Sequence, residues 1–358
     1  MESQEMPVSF EIGDKYNDRY KYSNLMSISE DGTGGTLLVR AYYSGLVLSP
    51  KGYLIEHYDK DLNLIDEYNY KIKGKEFVDG YVKNGQLYLL FLDYNLNALS
   101  YEYVIHRSPI SDYRFTTETL LRIPSEYVKN PLDKNYYNRN FSKGFTTTVL
   151  FDDDKSAFII STHYKKGKLN KHKIHVFSTS LNKIMEHDFS EAVEDKNYAF
   201  EQLVVSADLN AVYIMGKAYF KRKRFKALER KFQYELIQIT NSGRKIQTFD
   251  GPGKYSEALK PLLNKDRLIC VGFYADRKDN RYNGLGYFSL DPNTLDIQVK
   301  KYNPFSPQFM MDKFGKDDVE QVKNLVFKNV SFASDGCVQF NAEEYFVTNS
   351  IQANSSGG

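Results

Sequence analysis

A hairpin pattern recurs six times along this chain. In each copy an apolar strand leads into a turn containing Asp or Asn, and a second apolar strand then runs to a tyrosine. The turns are Asp31-Gly32, Asn84-Gly85, Asp154-Lys155, Asp208-Leu209-Asn210, Asn264-Lys265-Asp266 and Asp335-Gly336. The tyrosines are Tyr43, Tyr94, Tyr164, Tyr219, Tyr274 and Tyr345. A self-similar segment repeated in this way indicates a repeat architecture, so this pattern constrains the fold before any other feature does.

The hairpin is half of a larger repeat. A variable polar loop follows each tyrosine, and two further strands joined by a tight turn come next. Gly, Pro, Asn and Asp cluster at these turns because they tolerate or preset tight backbone angles. The predicted third and fourth strands are Gly52–Tyr58 and Asn63–Tyr70, His172–Phe177 and Ile184–Phe189, Phe232–Ile239 and Lys245–Phe249, and Leu285–Leu290 and Leu295–Val299.

The length of the repeat indicates the fold class. Four strands recurring about every 50 to 70 residues are typical of propeller blades, whereas leucine-rich solenoids repeat at about 20–29 residues. We therefore predict an all-β chain that forms a single β-propeller domain over residues 1–348, with a polar Ser/Gly tail over 349–358. Its six recognisable four-stranded blade units lie at approximately 23–72, 77–123, 141–190, 198–250, 259–302 and 326–348.

The strand composition agrees with this fold class. The second strands are apolar on both faces, as in Leu87–Leu92, Ala157–Ile160 and Leu268–Val271. A strand buried on both sides needs that pattern, and neighbouring blades cover both faces of each sheet in a propeller. Few segments show a helical pattern, and we predict only a turn or two of helix within Tyr255–Leu263 and within Lys316–Leu325.

The sixth repeat is predicted to be half a blade. After Tyr345 the chain passes through Phe346-Val347-Thr348 into the polar tail, so the third and fourth strands are missing. The favoured interpretation is a natural chain that continues, with seven blades in the full protein. Alternatively, the segment Val8–Ile12 supplies an outer strand and closes the ring. Either arrangement would cover an otherwise unpaired sheet edge.

The charge balance and the length of the apolar runs argue against two classes of partner, nucleic acid and the membrane interior. The 48 basic and 46 acidic residues leave a net charge of +2, which argues against a nucleic-acid-wrapping surface. No run approaches the ~18 apolar residues of a membrane helix, so no transmembrane segment is predicted.

The N-terminus shows no visible signal peptide, because Met1–Phe10 lacks a basic start followed by an apolar stretch. The protein is expected in the periplasm or at the outer membrane if a signal has been removed, and in the cytoplasm otherwise.

The two cysteines, Cys270 and Cys337, lie inside apolar strand runs. Free cysteine packs as a small hydrophobic residue, so both are predicted to be buried free thiols.

Candidate binding residues lie where the second and fourth strands end, because the loops that follow should emerge at one end of a propeller. Aromatic, Arg and His side chains in loops on a rigid scaffold can bind a sugar, a peptide or another ligand. The alternative is that the recurring tyrosines are packing residues with buried rings. The predicted ligand-binding residues are Tyr43, Tyr94, His163, Tyr164, Tyr219, Arg222, Arg224, Tyr274, Arg277 and Arg281.

Two basic loops are further candidates for binding at the same end of the propeller. The stronger is Lys221–Lys226, followed by Arg230 and Lys231, and a similar loop carries Lys165, Lys166, Lys168, Lys171 and Lys173. Such loops can contact an acidic partner, a phosphate-rich glycan or a lipid head group. The alternative for each is a solvated hairpin tip.

Sites for metals and catalysis are not indicated. Asp152-Asp153-Asp154 can bind calcium, but no Gly-punctuated loop or bidentate Glu follows, so a hairpin turn is favoured. His172 and His175 fall on opposite faces of a strand and share no metal easily. The chain lacks a Gly-x-Ser-x-Gly elbow, a phosphate-binding Gly loop and a His-Glu-x-x-His motif. We predict no catalytic residues, no metal and no cofactor.

The most distinctive sequence motifs lie in the last two repeats. Gly272–Arg277 is followed by Gly284–Asp291, and Asp335-Gly336 is followed by Glu343–Val347. These motifs resemble those of an uncharacterised family of propeller-like repeat proteins common in Bacteroidetes, and the resemblance is clearest over Leu268–Val347. The resemblance implies a cell-envelope location, a secretion or lipoprotein signal and no known catalytic residues. This chain departs from that pattern, because it shows no signal and no lipid-accepting Cys near Met1.

Three functional hypotheses follow. The leading one is a non-enzymatic binding or scaffold module of the bacterial cell envelope, interacting with an envelope protein or glycan through loops on one propeller face. Peripheral membrane association would then use a lipid anchor missing from this sequence. The alternative is a polysaccharide hydrolase or lyase at the mouth of the central channel, an analogy from fold alone. The third is a structural subunit of an outer-membrane assembly, which predicts a large apolar patch on one rim.

Overall fold

The computed structural model describes residues 22–44, 49–95, 97–98, 100–124, 145–152, 155–166, 169–188, 197–220, 231–264, 267–276, 281–315, 321–333 and 335–345. Most of these residues lie in β-strands, which confirms the predicted all-β class. The chain divides into two compact units. Unit one comprises Met1–Thr146 and His163–Leu169, and unit two comprises Thr147–Thr162 and Asn170–Gly358.

Unit one contains two four-stranded antiparallel sheets. Its strands are β1 (Ser23–Glu30), β2 (Thr36–Ser44), β3 (Ser49–Tyr58), β4 (Leu64–Tyr70), β5 (Glu76–Lys83), β6 (Gln86–Asn95), β7 (Ser100–Pro109) and β8 (Thr116–Pro124). Sheet one has the order β1-β2-β3-β4 and sheet two the order β5-β6-β7-β8. Each strand therefore pairs with its neighbour in sequence.

Unit two contains most of sheet three, two more four-stranded sheets and a final hairpin, while the start of β9, the end of β10 and the first residue of β11 fall in unit one. The elements are β9 (Phe145–Phe151), β10 (Ala157–Lys166), β11 (Leu169–Ser178), β12 (Lys183–Asp188), β13 (Asn197–Val205), β14 (Ala211–Tyr219), β15 (Phe232–Thr240), β16 (Gly243–Thr248), β17 (Tyr255–Asn264), β18 (Arg267–Ala275), β19 (Arg281–Tyr282), β20 (Gly284–Leu290), β21 (Ile297–Pro304), α1 (Pro307–Phe314), β22 (Val322–Lys323), β23 (Leu325–Phe332) and β24 (Val338–Glu344). Sheets three, four and five have the orders β12-β11-β10-β9, β13-β14-β15-β16 and β17-β18-β20-β21. The short strands β19 and β22 pair with each other, and β23 pairs with β24.

Repeated four-stranded meanders are the sheets of a propeller-like fold, which confirms the predicted fold class. The second strands are buried on both faces, as their composition predicts: every residue of Leu268–Ala275 in β18 is buried. The sixth repeat contributes the single hairpin β23–β24 within the described residues.

Apolar side chains from facing sheets form the cores. In unit one, Val39 and Ile55 of sheet one pack with Leu89 and Phe91 of sheet two. In unit two, one core joins sheets three and four, a second joins sheets four and five, and a third joins sheet five to the last hairpin. Representative residues are Ile174 and Ile237 for the first, Leu236 and Phe288 for the second, and Ile269 and Val330 for the third.

The predicted hairpin turns depend on Asx chemistry and left-handed backbone. The Asp31 carboxylate accepts hydrogen bonds from the backbone N–H groups of Thr33 (2.6 Å) and Gly35 (2.9 Å). Asn84 and Gly85 both have positive φ, 51° and 68°, as a type I′ hairpin turn requires. Asp154, Lys265 and Asp266, which the sequence also places in turns, lie outside the described residues.

Five of the first strands share an irregularity that the sequence did not predict. The pairing register shifts at one point in β1, β5, β13, β17 and β23, as a β-bulge shifts it. The two glycines opposite the shifts in β14 and β18 leave room for the partner strand. A Cβ on Gly216 would clash with the Ala199 carbonyl oxygen and the Tyr198 ring, and one on Gly272 would lie 2.8 Å from the Glu257 carbonyl oxygen.

The helical prediction for Tyr255–Leu263 is wrong, because this segment is the strand β17. The register shift between Glu257 and Lys260 breaks the two-residue alternation of a strand, since the buried residues are Ser256, Leu259, Pro261 and Leu262. The prediction for Lys316–Leu325 is also misplaced, since its described part holds β22 and the start of β23. The helix forms earlier, over α1. The Ser306 hydroxyl caps its first turn, and Gly315 (φ 66°) ends it.

The cysteine prediction holds for one residue of the two. Cys270 is fully buried in β18, as predicted, but Cys337 is exposed. Cys337 lies in the turn between β23 and β24, where its backbone N–H donates to the Asp335 carboxylate, so it belongs to a hairpin tip and not to the strand core. Among the described residues, no helix is long and apolar enough to cross a membrane.

Candidate functional site

A cleft with a mixed polar and apolar lining lies in unit two between sheets four and five. Its volume is about 820 Å³, within the usual range of small-ligand sites. Three turns surround it: the β13–β14 turn and the β15–β16 turn of sheet four, and the β20–β21 turn of sheet five. Because a meander returns to the same edge at every second turn, these turns meet at one end of the two sheets.

The floor of the cleft is a set of hydrogen bonds that joins the two sheets. The Tyr213 hydroxyl and the Gln238 amide donate to the Pro292 carbonyl oxygen at 2.9 and 2.5 Å, and Lys245 Nζ donates to the Asn293 carbonyl oxygen at 2.6 Å. Tyr213 and Gln238 are cross-strand neighbours on β14 and β15, and both are buried. Buried polar groups that are satisfied in this way fix the sheets in one relative position.

One wall of the cleft is the β13–β14 turn, which is organised by Asp208. One carboxylate oxygen accepts hydrogen bonds from the Ser206 hydroxyl (2.6 Å) and the Asn210 backbone N–H (3.1 Å), and the other accepts from the Asn210 side-chain amide (2.8 Å). These bonds, the one from Ser206 first, lower the pKa of Asp208 to about 2. Asp208 is therefore ionised at neutral pH, and its charge is engaged within its own turn.

The opposite wall is the β15–β16 turn, where hydroxyl and amide groups are exposed. The hydroxyls of Thr240 and Ser242 lie 2.8 Å apart, and Asn241 is the exposed residue between them. Asp208 supplies the one carboxylate among the residues that line the cleft. The lining therefore combines apolar surface with neutral hydrogen-bonding groups, an arrangement that can hold a polar ligand.

At the other end of the strands lie the three predicted ligand-binding residues of unit two that the structure describes: Tyr219, Tyr274 and Arg281. Tyr274 at the end of β18 is buried, with its ring 4.9 Å from that of Tyr302 and with Lys254 Nζ 4.7 Å from its centroid. Lys254 also bonds to Asp276, and burial raises the pKa of Tyr274. Tyr274 therefore packs under a lysine and is not presented to solvent.

Two other predicted residues of unit two are described. Tyr219 ends β14 and is partly exposed, with its ring 5.6 Å from that of Phe232. Arg281 lies in β19, where it pairs with Lys323 of β22. His163 and Tyr164 lie in β10, but their side chains are outside the described residues, as are Arg222, Arg224 and Arg277 entirely.

In unit one the two predicted tyrosines whose side chains are described, Tyr43 and Tyr94, also contact neighbours. Tyr43 packs against the core of unit one, and its hydroxyl accepts a hydrogen bond from the Asn24 amide at 3.4 Å. The ring of Tyr94 meets that of Tyr101 edge-on at 5.0 Å. Each tyrosine therefore has a packing role, which does not depend on a ligand.

The remaining charged motifs have local partners where they are described. Asp152 accepts from the Ser156 hydroxyl (2.6 Å) and the Ala157 N–H (2.8 Å), as a hairpin turn requires. His172 bonds to the Ser161 hydroxyl at 2.8 Å, and His175 lies 3.5 Å from Glu186. The described residues hold no group of three or more metal-ligating side chains. The basic loop Lys221–Lys226 lies outside the described residues, and Lys173 of the other loop pairs with Glu186.

The cleft itself was not predicted, although each of its turns was. Asp208-Leu209-Asn210, Asn241-Ser242-Gly243 and Asp291-Pro292-Asn293 are visible as turns in the sequence. The signal that could have identified the cleft is their order: two turns of one repeat and one of the next fall at the same edge of consecutive sheets.

No protein-family model and no curated protein matches this chain. Among solved structures it is similar to the β-propeller domain of the Trilobed protease from Pyrococcus furiosus, with a TM-score of 0.45 and 10% identity over 91% of this chain and 79% of that one. It is also similar to the Pyrococcus horikoshii acylaminoacyl peptidase, with a TM-score of 0.45 and 8% identity over 90% of this chain. A chain from a structural and mechanistic analysis of two prolyl endopeptidases gives a TM-score of 0.37 and 11% identity over 88% of this chain.

The chain spans 43% of the acylaminoacyl peptidase and 45% of the prolyl endopeptidase chain. Likenesses at this level of identity concern the fold alone.

Proposed function

We propose that this chain is a non-enzymatic binding module of the bacterial cell envelope, and that it holds a segment of an envelope glycan or protein in the cleft between sheets four and five. The envelope location rests on the family resemblance of Leu268–Val347. The observation that carries the binding role is the cleft itself, a concave site with converging hydrogen-bonding groups on rigid sheets.

The fixed floor supports binding. Tyr213, Gln238 and Lys245 hold the two sheets together through backbone carbonyl oxygens. A site that is already formed loses little conformational entropy when a ligand enters, so more of the contact energy appears as affinity. The turns on either side then offer side chains to the ligand without having to rearrange.

The electrostatics favour binding over hydrolysis in this cleft. A glycosidase needs two carboxyl groups about 5–9.5 Å apart, one of them with a raised pKa so that it can donate a proton. Asp208 is the one carboxylate among the lining residues, and its pKa is lowered to about 2. It therefore stays ionised near neutral pH and has no proton to give.

The binding role can be tested with a pair of matched substitutions. The double variant Asn241→Ala, Ser242→Ala removes exposed groups from the wall of the cleft, and we expect it to weaken ligand binding at least about tenfold, or about 1.4 kcal/mol. Asn303→Ala is the control, because Asn303 is also exposed but lies at the other end of sheet five. Binding would be measured by calorimetry against envelope glycans and against soluble envelope proteins.

Two results would contradict the proposal. One is turnover of a polysaccharide by the purified chain, which would revive the hydrolase or lyase alternative. The other is equal binding by the double variant and the wild type. Fractionation of the source cells tests the location separately, with recovery in the envelope fraction as the expected result.

A further inference from the structure

The charges around the cleft identify the class of ligand, given the proposed binding function on which this step rests. Two cations and one carboxylate belong to residues that line it: Arg244, Lys245 and Asp208. Which of these charges a ligand can use depends on where each side chain points and what it already contacts.

Arg244 points away from the cleft. Its cross-strand partner on β15 is Ile239, which packs in the core between sheets three and four. Its charge acts on His187 of β12 in sheet three, where burial first and Arg244 second lower the pKa of the imidazole. The guanidinium group therefore lies on the side of sheet four that faces sheet three. Arg244 lines the cleft only where its residue adjoins the β15–β16 turn.

Lys245 points into the cleft and is hydrogen-bonded there. Its cross-strand partner is Gln238, and both side chains donate to the same turn of sheet five. The bond from Lys245 to the Asn293 carbonyl oxygen draws its ammonium group to the floor. That bond uses one of the three N–H donors and leaves the charge in place, and the charge helps to lower the pKa of the nearby Asp291 carboxyl, after the hydrogen bonds from the Thr294 and Asn293 backbone N–H groups.

Asp208 is also hydrogen-bonded, since Ser206 and Asn210 supply three hydrogen bonds to its two oxygens. The other polar side chains of the wall and floor are neutral: the hydroxyls of Thr240 and Ser242, which bond to each other, and the amides of Asn241 and Asn293. Hydroxyls both donate and accept, and amides offer one group of each kind, so this set matches partners that also do both.

We infer that the ligand is a neutral, polyhydroxylated oligosaccharide, and that the cleft discriminates against acidic sugars. Sugar hydroxyls donate and accept, as the lining groups do. A carboxylate brought into the cleft would lose hydration and would meet the ionised carboxylates of Asp208 and Asp291, with Lys245 as the one cation that points into the cleft, which is unfavourable. Binding of the neutral ligand should also be insensitive to salt, because no ion pair forms.

The test compares neutral oligosaccharides with uronate oligosaccharides of the same length and linkage, using calorimetry on the full chain. The expected result is that the neutral oligomer binds at least about tenfold more tightly. Its affinity should change little between about 0.05 and 0.5 M salt, a range over which an ion pair is progressively screened. The Asn241→Ala, Ser242→Ala variant should lose the neutral oligomer, and Asn303→Ala should keep it.

The alternative outcomes separate this inference from the proposed function. Equal or tighter binding of the uronate, still lost in the double variant, overturns the neutral-ligand inference and leaves the cleft as the binding site. Absence of binding to either oligomer, with capture of an envelope protein that depends on Asn241, overturns the inference and keeps the binding module. Oligosaccharide binding that the double variant retains overturns both, because the cleft is then not the site.

Discussion

At the residue scale, His106 gives unit one a dependence on pH. It is buried in β7, with its ring 4.7 Å from that of Phe91 and its Nδ1 2.5 Å from the Tyr70 hydroxyl. Burial first, and the charge of Lys75 second, lower the pKa of His106 from 6.5 to about 4. Between these values the unfolded chain binds a proton that the folded chain does not, so acid favours unfolding.

We predict that the free energy of unfolding falls as the pH decreases from about 6.5 to about 4, and that His106 accounts for up to about 3 kcal/mol of the loss at roughly 1.4 kcal/mol per pKa unit. Urea unfolding at pH 7 and pH 5 would measure it. The variant His106→Gln keeps a partner for Tyr70 but cannot titrate, so its loss over this interval should be smaller. An equal loss in both proteins would contradict the prediction.

Gly216 tests the close approach at the register shift of β13. A methyl group there would clash with the Ala199 carbonyl oxygen and the Tyr198 ring, so the strands would have to separate. We predict that Gly216→Ala lowers the free energy of unfolding by about 1–3 kcal/mol. Gly286→Ala in β20 is the control, since its nearest contact would be the more distant Phe288 ring at 3.3 Å. Similar unfolding midpoints for the two variants would contradict the prediction.

At the element scale, the turns were predictable and the register shifts were not. Asp, Asn and Gly mark a turn because their chemistry acts within four or five residues, as in the bonds from Thr33 and Gly35 to Asp31. A register shift depends on the partner strand, which is distant in sequence. In β17 the shift breaks the two-residue alternation that identifies a strand in sequence, and the segment was predicted as a helix.

The same distinction between local and long-range contacts explains why the turns of the candidate site were predictable and the cleft was not. The local chemistry of Asp208 and of Asn241 is visible in the sequence, but the cleft needs Pro292 of the next sheet to lie against Tyr213 and Gln238. That contact depends on the packing of two sheets, and no pattern within one repeat encodes it.

The β3–β4 turn offers a stabilising substitution. Leu62 has a left-handed φ of 63° and is 69% exposed, so its side chain gains little burial while its backbone is strained. We predict that Leu62→Asn raises the free energy of unfolding by about 0.5–1 kcal/mol, because Asn tolerates this conformation. Leu64→Asn is the matched control in β4, where φ is not positive and no gain is expected. Thermal unfolding would compare them, and a gain for Leu64→Asn alone would refute the account.

At the scale of the whole molecule, stability should be organised by unit. Every large sheet is a meander of neighbouring strands, and each unit has cores of its own. In repeat architectures the effect of a substitution falls mainly on adjacent repeats. Leu89 in unit one and Met215 in unit two are both fully buried, and they belong to separate cores.

We predict that Leu89→Ala and Met215→Ala each cost about 2–5 kcal/mol, from the lost apolar contacts and the cavity left behind. Amide hydrogen exchange should locate the two effects differently. Leu89→Ala should accelerate exchange in β1–β8 and leave sheets four and five near their wild-type rates, whereas Met215→Ala should do the reverse. Uniform acceleration in both variants would mean that the chain opens as one cooperative body, because only global unfolding exposes every sheet at once.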